Sequence, residues 1–359
     1  MKAKNRLLNA LLGKPVDRIP WSPFLAYYWD YLPESIQCEG QVSYLEKMGA
    51  DPLLRGFHCL SKLKYNNCEI SEQVKQNEKQ VVYETPVGIL KERYTYSPKG
   101  NTWFLTDHPV KTGEDIKILQ CLIEHCQVIQ DTDIFNRDFD YYGDRALLLP
   151  VVGLFSKTAF QSMLEHWMGT EELIYAIYDI PEVLEECLAA IQEKDFQTVE
   201  IAAQTKAEGF IFWEDSSTTN ISPQLFSRYT APEITRWGNY LHKNDKLLVH
   251  HACGHLKDLI PEMAKLPVDA IESISPPPTG NIELWEAYER LPQTVALIGG
   301  IEPTVFRNET LEGLEQYVER LLNKTKGKRF ILANSDSCPP DVEYTKFRYI
   351  SELVRETCI

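Results

Sequence analysis

From Ala146 to the end of the chain, short apolar and β-branched runs alternate with longer amphipathic stretches, and this alternation leaves few folds open. The strand-like runs are Ala146 to Phe155, Gly209 to Trp213, Lys246 to Cys253, Val268 to Ile274, Thr294 to Gly300 and Arg329 to Asn334. Gly, Pro or polar residues bound each of them. Between them lie helical patterns such as Glu309 to Thr325, where Leu311, Leu314, Val318, Leu321 and Leu322 recur near a 3.6-residue period. Ser222 followed by Pro223 reads as the N-cap and first turn of another helix, which carries Leu225, Tyr229 and Trp237. Strands that feed helices form a parallel sheet, and 359 residues accommodate an α/β chain folded as a (β/α)8 TIM barrel.

The first 145 residues are less regular. An amphipathic helix is expected at Lys2 to Leu12 and a strand at Arg18 to Ala26, followed by a polar region around Ser71 to Gln80. A β-hairpin is expected near 81–107, where Val87 to Tyr96 and Thr102 to Thr106 flank the turn-like Ser97-Pro98-Lys99-Gly100-Asn101. With no internal repeat or linker, residues 1–359 are expected as one domain, elaborated over about 1–145 and regular over about 146–359.

Charge excludes some partners. Lys plus Arg number 37 against 52 Asp plus Glu, a net charge of −15 that repels phosphate backbones, so no nucleic acid is expected. The longest nearly unbroken apolar run, Ala146 to Phe155, is too short for a membrane span of roughly 20 residues. The start of the chain lacks a signal-peptide pattern, so a cytoplasmic location is expected. Nine cysteines, an odd number over a long chain, do not resemble a secreted disulfide framework.

The richest segment is Leu247-Leu248-Val249-His250-His251-Ala252-Cys253-Gly254-His255, a strand that ends in ligand-type residues. Residues two apart on a strand share a face, so His251 and Cys253 project together while His250 points away. Glu272 ends the next strand and Cys338 follows a later one, so all four are expected at the C-terminal mouth of the barrel. One imidazole, two thiols and a carboxylate suit tetrahedral Zn²⁺ and disfavour Mg²⁺ or Ca²⁺. Such an electron-rich site holds a thiolate better than it makes hydroxide. A substrate thiol that replaces the carboxylate would be deprotonated on binding.

Other residues reach the same end. Trp213-Glu214-Asp215-Ser216-Ser217 follows a strand, so Glu214 or Asp215 could bind substrate or handle a proton, or could serve the loop and helix cap. Asp336 could orient a ligand. Gly299-Gly300 could admit a phosphate or sulfonate to the backbone, or only turn the chain. His255 is expected on the opening turn of the next helix. Trp21 to Trp29, with Tyr27 inside it, could line a mouth for a flat partner or pack the first strand. Cys121, Cys126 and Cys187, with the other cysteines beyond Cys253 and Cys338, are expected to pack. Lys62 and Lys64 do not amount to a basic patch.

His251-x-Cys253 with Gly254 after it and Cys338 far downstream resembles the zinc motif of methylcobamide:coenzyme M methyltransferases in the uroporphyrinogen decarboxylase superfamily. The resemblance extends to Lys14-Pro15-Val16-Asp17-Arg18-Ile19-Pro20, His166-Trp167-Met168-Gly169 and Gly299-Gly300-Ile301-Glu302-Pro303. The order His-x-Cys, Glu, Cys also resembles cobalamin-independent methionine synthase. It implies a (β/α)8 barrel with His251, Cys253 and Cys338 as zinc ligands and Glu272 as a displaceable fourth. The decarboxylase branch matches less well, because Trp21 to Trp29 replaces its arginine-rich motif. No Asp-x-His-x-x-Gly segment for carrying a corrinoid occurs, so a separate corrinoid protein is the implied partner.

The expected activity is transfer of a methyl group between that corrinoid protein and a zinc-activated thiol or other small methyl carrier. Alternatives are the reverse direction from a methyl donor, as in an O-demethylase; a decarboxylase; and a non-catalytic zinc- or corrinoid-binding barrel.

Overall fold

The computed structural model describes residues 1–98 and 100–356 and divides into two compact units. The first comprises Met1–His58, Asp133–Val151 and Lys206–Ile359, and the second Cys59–Thr132 and Val152–Thr205. The division interleaves the chain. In chain order the strands are β1 (Leu53–Cys59), β2 (Ser61–Tyr65), β3 (Glu69–Lys75), β4 (Glu78–Thr85), β5 (Gly88–Ser97), β6 (Thr102–Asp107) and β7 (Cys126–Gln130). They continue as β8 (Leu147–Val151), β9 (Gly209–Glu214), β10 (Leu247–Ala252), β11 (Ala270–Glu272), β12 (Ala296–Ile301) and β13 (Phe330–Asn334).

The first unit is built on a seven-stranded sheet in the order β1-β8-β9-β10-β11-β12-β13, with parallel pairing from β8 through β13. All six strands expected after Ala146 are present. They are legible because each is buried along nearly its whole length, as β8, β12 and β13 show without exception. The expected strand at Arg18 to Ala26 shrinks to one parallel bridge, Trp21 to Leu332. Short as it is, it closes the sheet: Leu332 N donates to Pro20 O at 2.9 Å, Ser22 N to Leu332 O at 2.9 Å and Asp51 N to Trp21 O at 2.7 Å. The result is a TIM-barrel-like α/β fold. Its interior stacks Leu149, Ile211, Val249, Ala270, Ile298 and Ile331, with Leu7 and Leu11 of the helix Ala3–Leu12 packed against them.

Helices follow the strands as the periodicity predicts. Thr310 caps Leu311–Thr325 by accepting from Gly313 N at 3.1 Å, and Leu314, Val318, Leu321 and Leu322 are its buried face. Ser222 accepts from Leu225 N at 3.2 Å, as an N-cap should. His255 does not lie on an opening helical turn. The segment after β10 stays irregular until Ile260, and His255 N donates to Ser217 Oγ at 3.0 Å.

The second unit holds the antiparallel sheet β3-β4-β5-β6, the pair β2-β7, and the helices Gly113–Glu124 and Pro181–Ala203. The expected hairpin is β5 with β6, and Lys99 of its turn lies outside the described residues. The polar stretch Ser71 to Gln80 belongs to a further hairpin, β3 with β4. It had no apolar alternation to read because all seven residues of β3 are exposed. Within this unit Glu92 is buried and accepts from Tyr83 Oη at 2.9 Å and Tyr94 Oη at 3.0 Å, while His166 Nε2 stands 3.1 Å from its other oxygen. No described helix is long and apolar enough to cross a membrane.

Candidate functional site

Strand register in the first unit sets one row of side chains across three strands. Val249 pairs with Ile211 and Ala270, all core residues, and two positions on His251 pairs with Trp213 and Glu272. The apolar interior therefore gives way to Trp213, His251 and Glu272 at the C-terminal ends of the strands, where barrels place their chemistry. Trp213's ring centroid is 4.6 Å from that of His251 and stacks at 5.6 Å on Phe24, whose ring is 6.1 Å from His251. Trp213 also fills space that β1 leaves open. Gly56 has φ +72, and a Cβ there would fall 2.4 Å from Trp213 Cζ2.

His251 Nδ1 lies 3.0 Å from Glu272 Oε2 and 3.2 Å from Ser273 Oγ. With Nδ1 so engaged, Nε2 is the ring nitrogen left to face a ligand. Glu272 is fully buried, and its Oε1 stands 2.6 Å from Arg55 Nη1. That ion pair misses hydrogen-bond angles at both atoms. Arg55 is held from its other side, Nη2 donating to Ser22 O at 2.6 Å. Burial alone would raise the Glu272 carboxyl, but Arg55 and His251 outweigh it and hold the group below the usual carboxylate range. Arg55 is lowered in turn by its own burial, against the pull of Glu272.

Arg55 was not singled out from sequence. The signal available was a cation directly after Leu53-Leu54, but β1 had no recognisable strand pattern around it. Asn334 was missed as well. Its amide brackets the backbone of Phe24, accepting from N and donating to O, each at 2.9 Å, and so ties the aromatic wall to β13.

The expected ligands are only partly gathered. His251 and Glu272 are in contact, and Cys253 lies half-buried just past β10, its Sγ 3.9 Å from Glu214 O. Cys338 makes neither of these contacts but is held beside Phe24. Its backbone pairs with Phe24 O and Tyr28 N, both at 3.1 Å, and its buried thiol lies 3.6 Å from Pro339 O. Burial and then Asp341 raise that thiol well above its ordinary range. Among the described residues no three His, Cys, Asp or Glu side chains converge as a metal-holding group. The donor types nevertheless fit zinc, and an imidazole whose Nδ1 meets a carboxylate is the arrangement that metal-bound histidines adopt. In this structure Glu272 is placed to orient His251, with Arg55 on its other oxygen, rather than to face outward as a fourth ligand.

The remaining expectations separate in the same way. Asp215 serves its own loop, accepting from Ser217 N at 3.4 Å and Asn220 Nδ2 at 3.2 Å. Glu214 is buried, and its backbone O receives Cys253 N at 3.3 Å. The Asp336 carboxylate accepts from Ser337 N at 2.6 Å, a turn bond. Gly300 has φ +107 and both backbone groups occupied, N by Ser335 Oγ at 3.1 Å and O by Tyr317 Oη at 2.9 Å. It turns the chain. Tyr27 is exposed, outside the ring contacts around His251. His250 is fully buried, stacked on Phe212 at 4.7 Å, and its pKa falls to about 3 through burial and then the neighbouring His251. Of the other cysteines, Cys126 and Cys187 are buried, Cys68 and Cys121 half-buried, and Cys38 and Cys59 exposed. Packing therefore does not account for Cys38 and Cys59, and Cys358 lies outside the described residues. Beside the site, Phe24, Trp29, Asp30, Leu53, Arg55 and Phe57 enclose a cavity of about 200 Å³.

A barrel whose strand ends present this buried His–Glu–Arg row is an enzyme architecture. Residues 157–357, more than half of the chain, match the uroporphyrinogen decarboxylase (URO-D) family model, and the chain belongs to that family. It is 24% identical over 344 residues to a uroporphyrinogen decarboxylase of Geobacter sulfurreducens and 23% identical to one of Trichlorobacter lovleyi, with 90% of each chain covered in both cases. Its fold is similar to that of a methyltransferase from Methanosarcina mazei, with a TM-score of 0.65, 13% identity and 99% of both chains covered.

Proposed function

We propose that this member of the URO-D family is a corrinoid-dependent methyltransferase that moves a methyl group between a separate methylated corrinoid protein and a small thiol or other methyl carrier. The contact between His251 Nδ1 and Glu272 at 3.0 Å, with Cys253 next along the chain, carries the reading. His251, Cys253 and Cys338 would hold zinc, and Glu272 would keep the His251 ring turned toward it. Zinc held there would stabilise the anion of an incoming thiol and keep it nucleophilic at neutral pH. Arg55 keeps Glu272 ionised, so the carboxylate fixes the His251 ring with its proton on Nδ1. Phe24 and Trp213 present stacked apolar faces beside His251, which exclude water and suit a flat partner. The fold likeness to an archaeal methyltransferase agrees with this reading.

The names of the curated relatives favour a second reading, decarboxylation of a tetrapyrrole. Against it stands the aromatic Trp21 to Trp29 segment, which offers no cluster of cations for several carboxylates. The protein is to be incubated with zinc, methylcobalamin and a panel of thiols while cob(I)alamin is followed by absorbance. Thiol-dependent loss of methylcobalamin is expected, with zinc content falling in both Cys253→Ser and Cys338→Ser. No thiol-dependent turnover, or full zinc retention in both variants, would sink the proposal.

A further inference from the structure

At the other end of the parallel sheet, around the start of β13, the first unit opens a cleft of about 760 Å³. This is the size of small-molecule sites in general. Lys14, Lys326, Lys328 and Arg329 line it, and no described lining residue is Asp or Glu. Lys14, Lys326 and Lys328 are exposed. Among the described residues none of the three forms an ion pair, although the chain carries 52 carboxylates and a net charge of −15. Lys328 Nζ sits 5.9 Å from the centroid of the Tyr288 ring.

The wall that carries these cations is fixed. Arg329 Nη1 donates to Thr294 O at 2.7 Å, and Tyr288 Oη donates to Arg329 O at 2.5 Å. Gly13, with φ +66, lets the Arg329 guanidinium lie against the chain, since a Cβ there would meet Nε at 2.5 Å. Cations around a concave wall add positive potential to it, and no described lining carboxylate cancels that potential. Ammonium groups suit compact phosphate charge.

We infer that this cleft binds a small anion bearing two or more clustered phosphate groups. It is separate from the His251 site and independent of the methyl-transfer reading. The test is isothermal titration calorimetry of the full chain, free of magnesium, with pyrophosphate and with ATP as probes. Saturable binding of one molecule per chain is expected for at least one probe, weakened about tenfold or more in Lys326→Glu/Lys328→Glu and unchanged in Cys253→Ser. Circular dichroism checks that the charge-reversed variant, altered only at exposed positions, keeps its fold. Absence of saturable binding by both probes, or equal binding by the charge-reversed variant, would overturn the inference.

Discussion

Each unit of this protein buries a glutamate beside a histidine, and the two carboxyls shift in opposite directions. Glu272 in the barrel has His251 at 3.0 Å and Arg55 at 2.6 Å, and it is held below the ordinary carboxylate range. Glu92 in the second unit has His166 at 3.1 Å and two tyrosine hydroxyls, and it is raised, because burial outweighs Tyr83, Tyr94 and the pull of Lys79 and His108 together. A full positive charge in direct contact offsets the loss of water around a carboxylate, whereas neutral donors and charges out of contact offset only part of it. The barrel therefore holds an anion behind His251, whereas in the second unit the Glu92 carboxyl takes up a proton more readily than an ordinary one.

The largest effect should come from removing the cation. Arg55→Met strands Glu272 without compensation and should cost about 3–5 kcal/mol in urea denaturation, most of it recovered in Arg55→Met/Glu272→Gln. A loss below about 1 kcal/mol would mean that Arg55 is not what holds Glu272 ionised. A smaller change is expected from Glu92→Gln, about 1 kcal/mol or less in the same measurement, since an amide oxygen still accepts from the two tyrosines. A loss as large as that of Arg55→Met would erase the contrast.

The last contrast concerns pH. The His166 pKa is lowered to about 4, by burial first and then by Lys157 and His108. Its unfolded value is near 6.5, so the stability it contributes is present above that pH and is lost as the pH falls towards 4. Glu92, raised in the folded state, takes up its proton before the unfolded chain does and works in the opposite direction. In a Glu92→Gln background, Tm should therefore fall more steeply below pH 6.5 than in His166→Gln/Glu92→Gln. Parallel curves would remove His166 from the account.

What could be read beforehand follows the distribution of burial. The strands from β8 onward lie deep in the fold and show as apolar runs. β1 does not, because Arg55 and Gly56 interrupt it at the site and His58 follows them to meet Asp138. β3 escaped notice for the opposite reason: it faces solvent on both sides. The meeting of His251 with Glu272 was legible because two-residue periodicity holds to the end of β10 and β11. Cys338 was not, since it lies four residues past β13, where Asn334 has already turned its side chain to the Phe24 backbone and strand phase no longer applies. Arg55 was hidden because its value depends on Glu272, a residue more than two hundred positions away.

Gly56 and Trp213 carry one more consequence. The indole occupies the volume that any side chain at position 56 would need, so the two positions can change only in a fixed order. A larger residue at 56 needs a smaller Trp213 as well as a left-handed backbone that side chains rarely adopt, and the change at 213 removes one face of the wall beside His251. A lineage that reshapes this mouth for a bulkier partner therefore has one open route, through residue 213, and any alternative beginning at 56 is closed by collision.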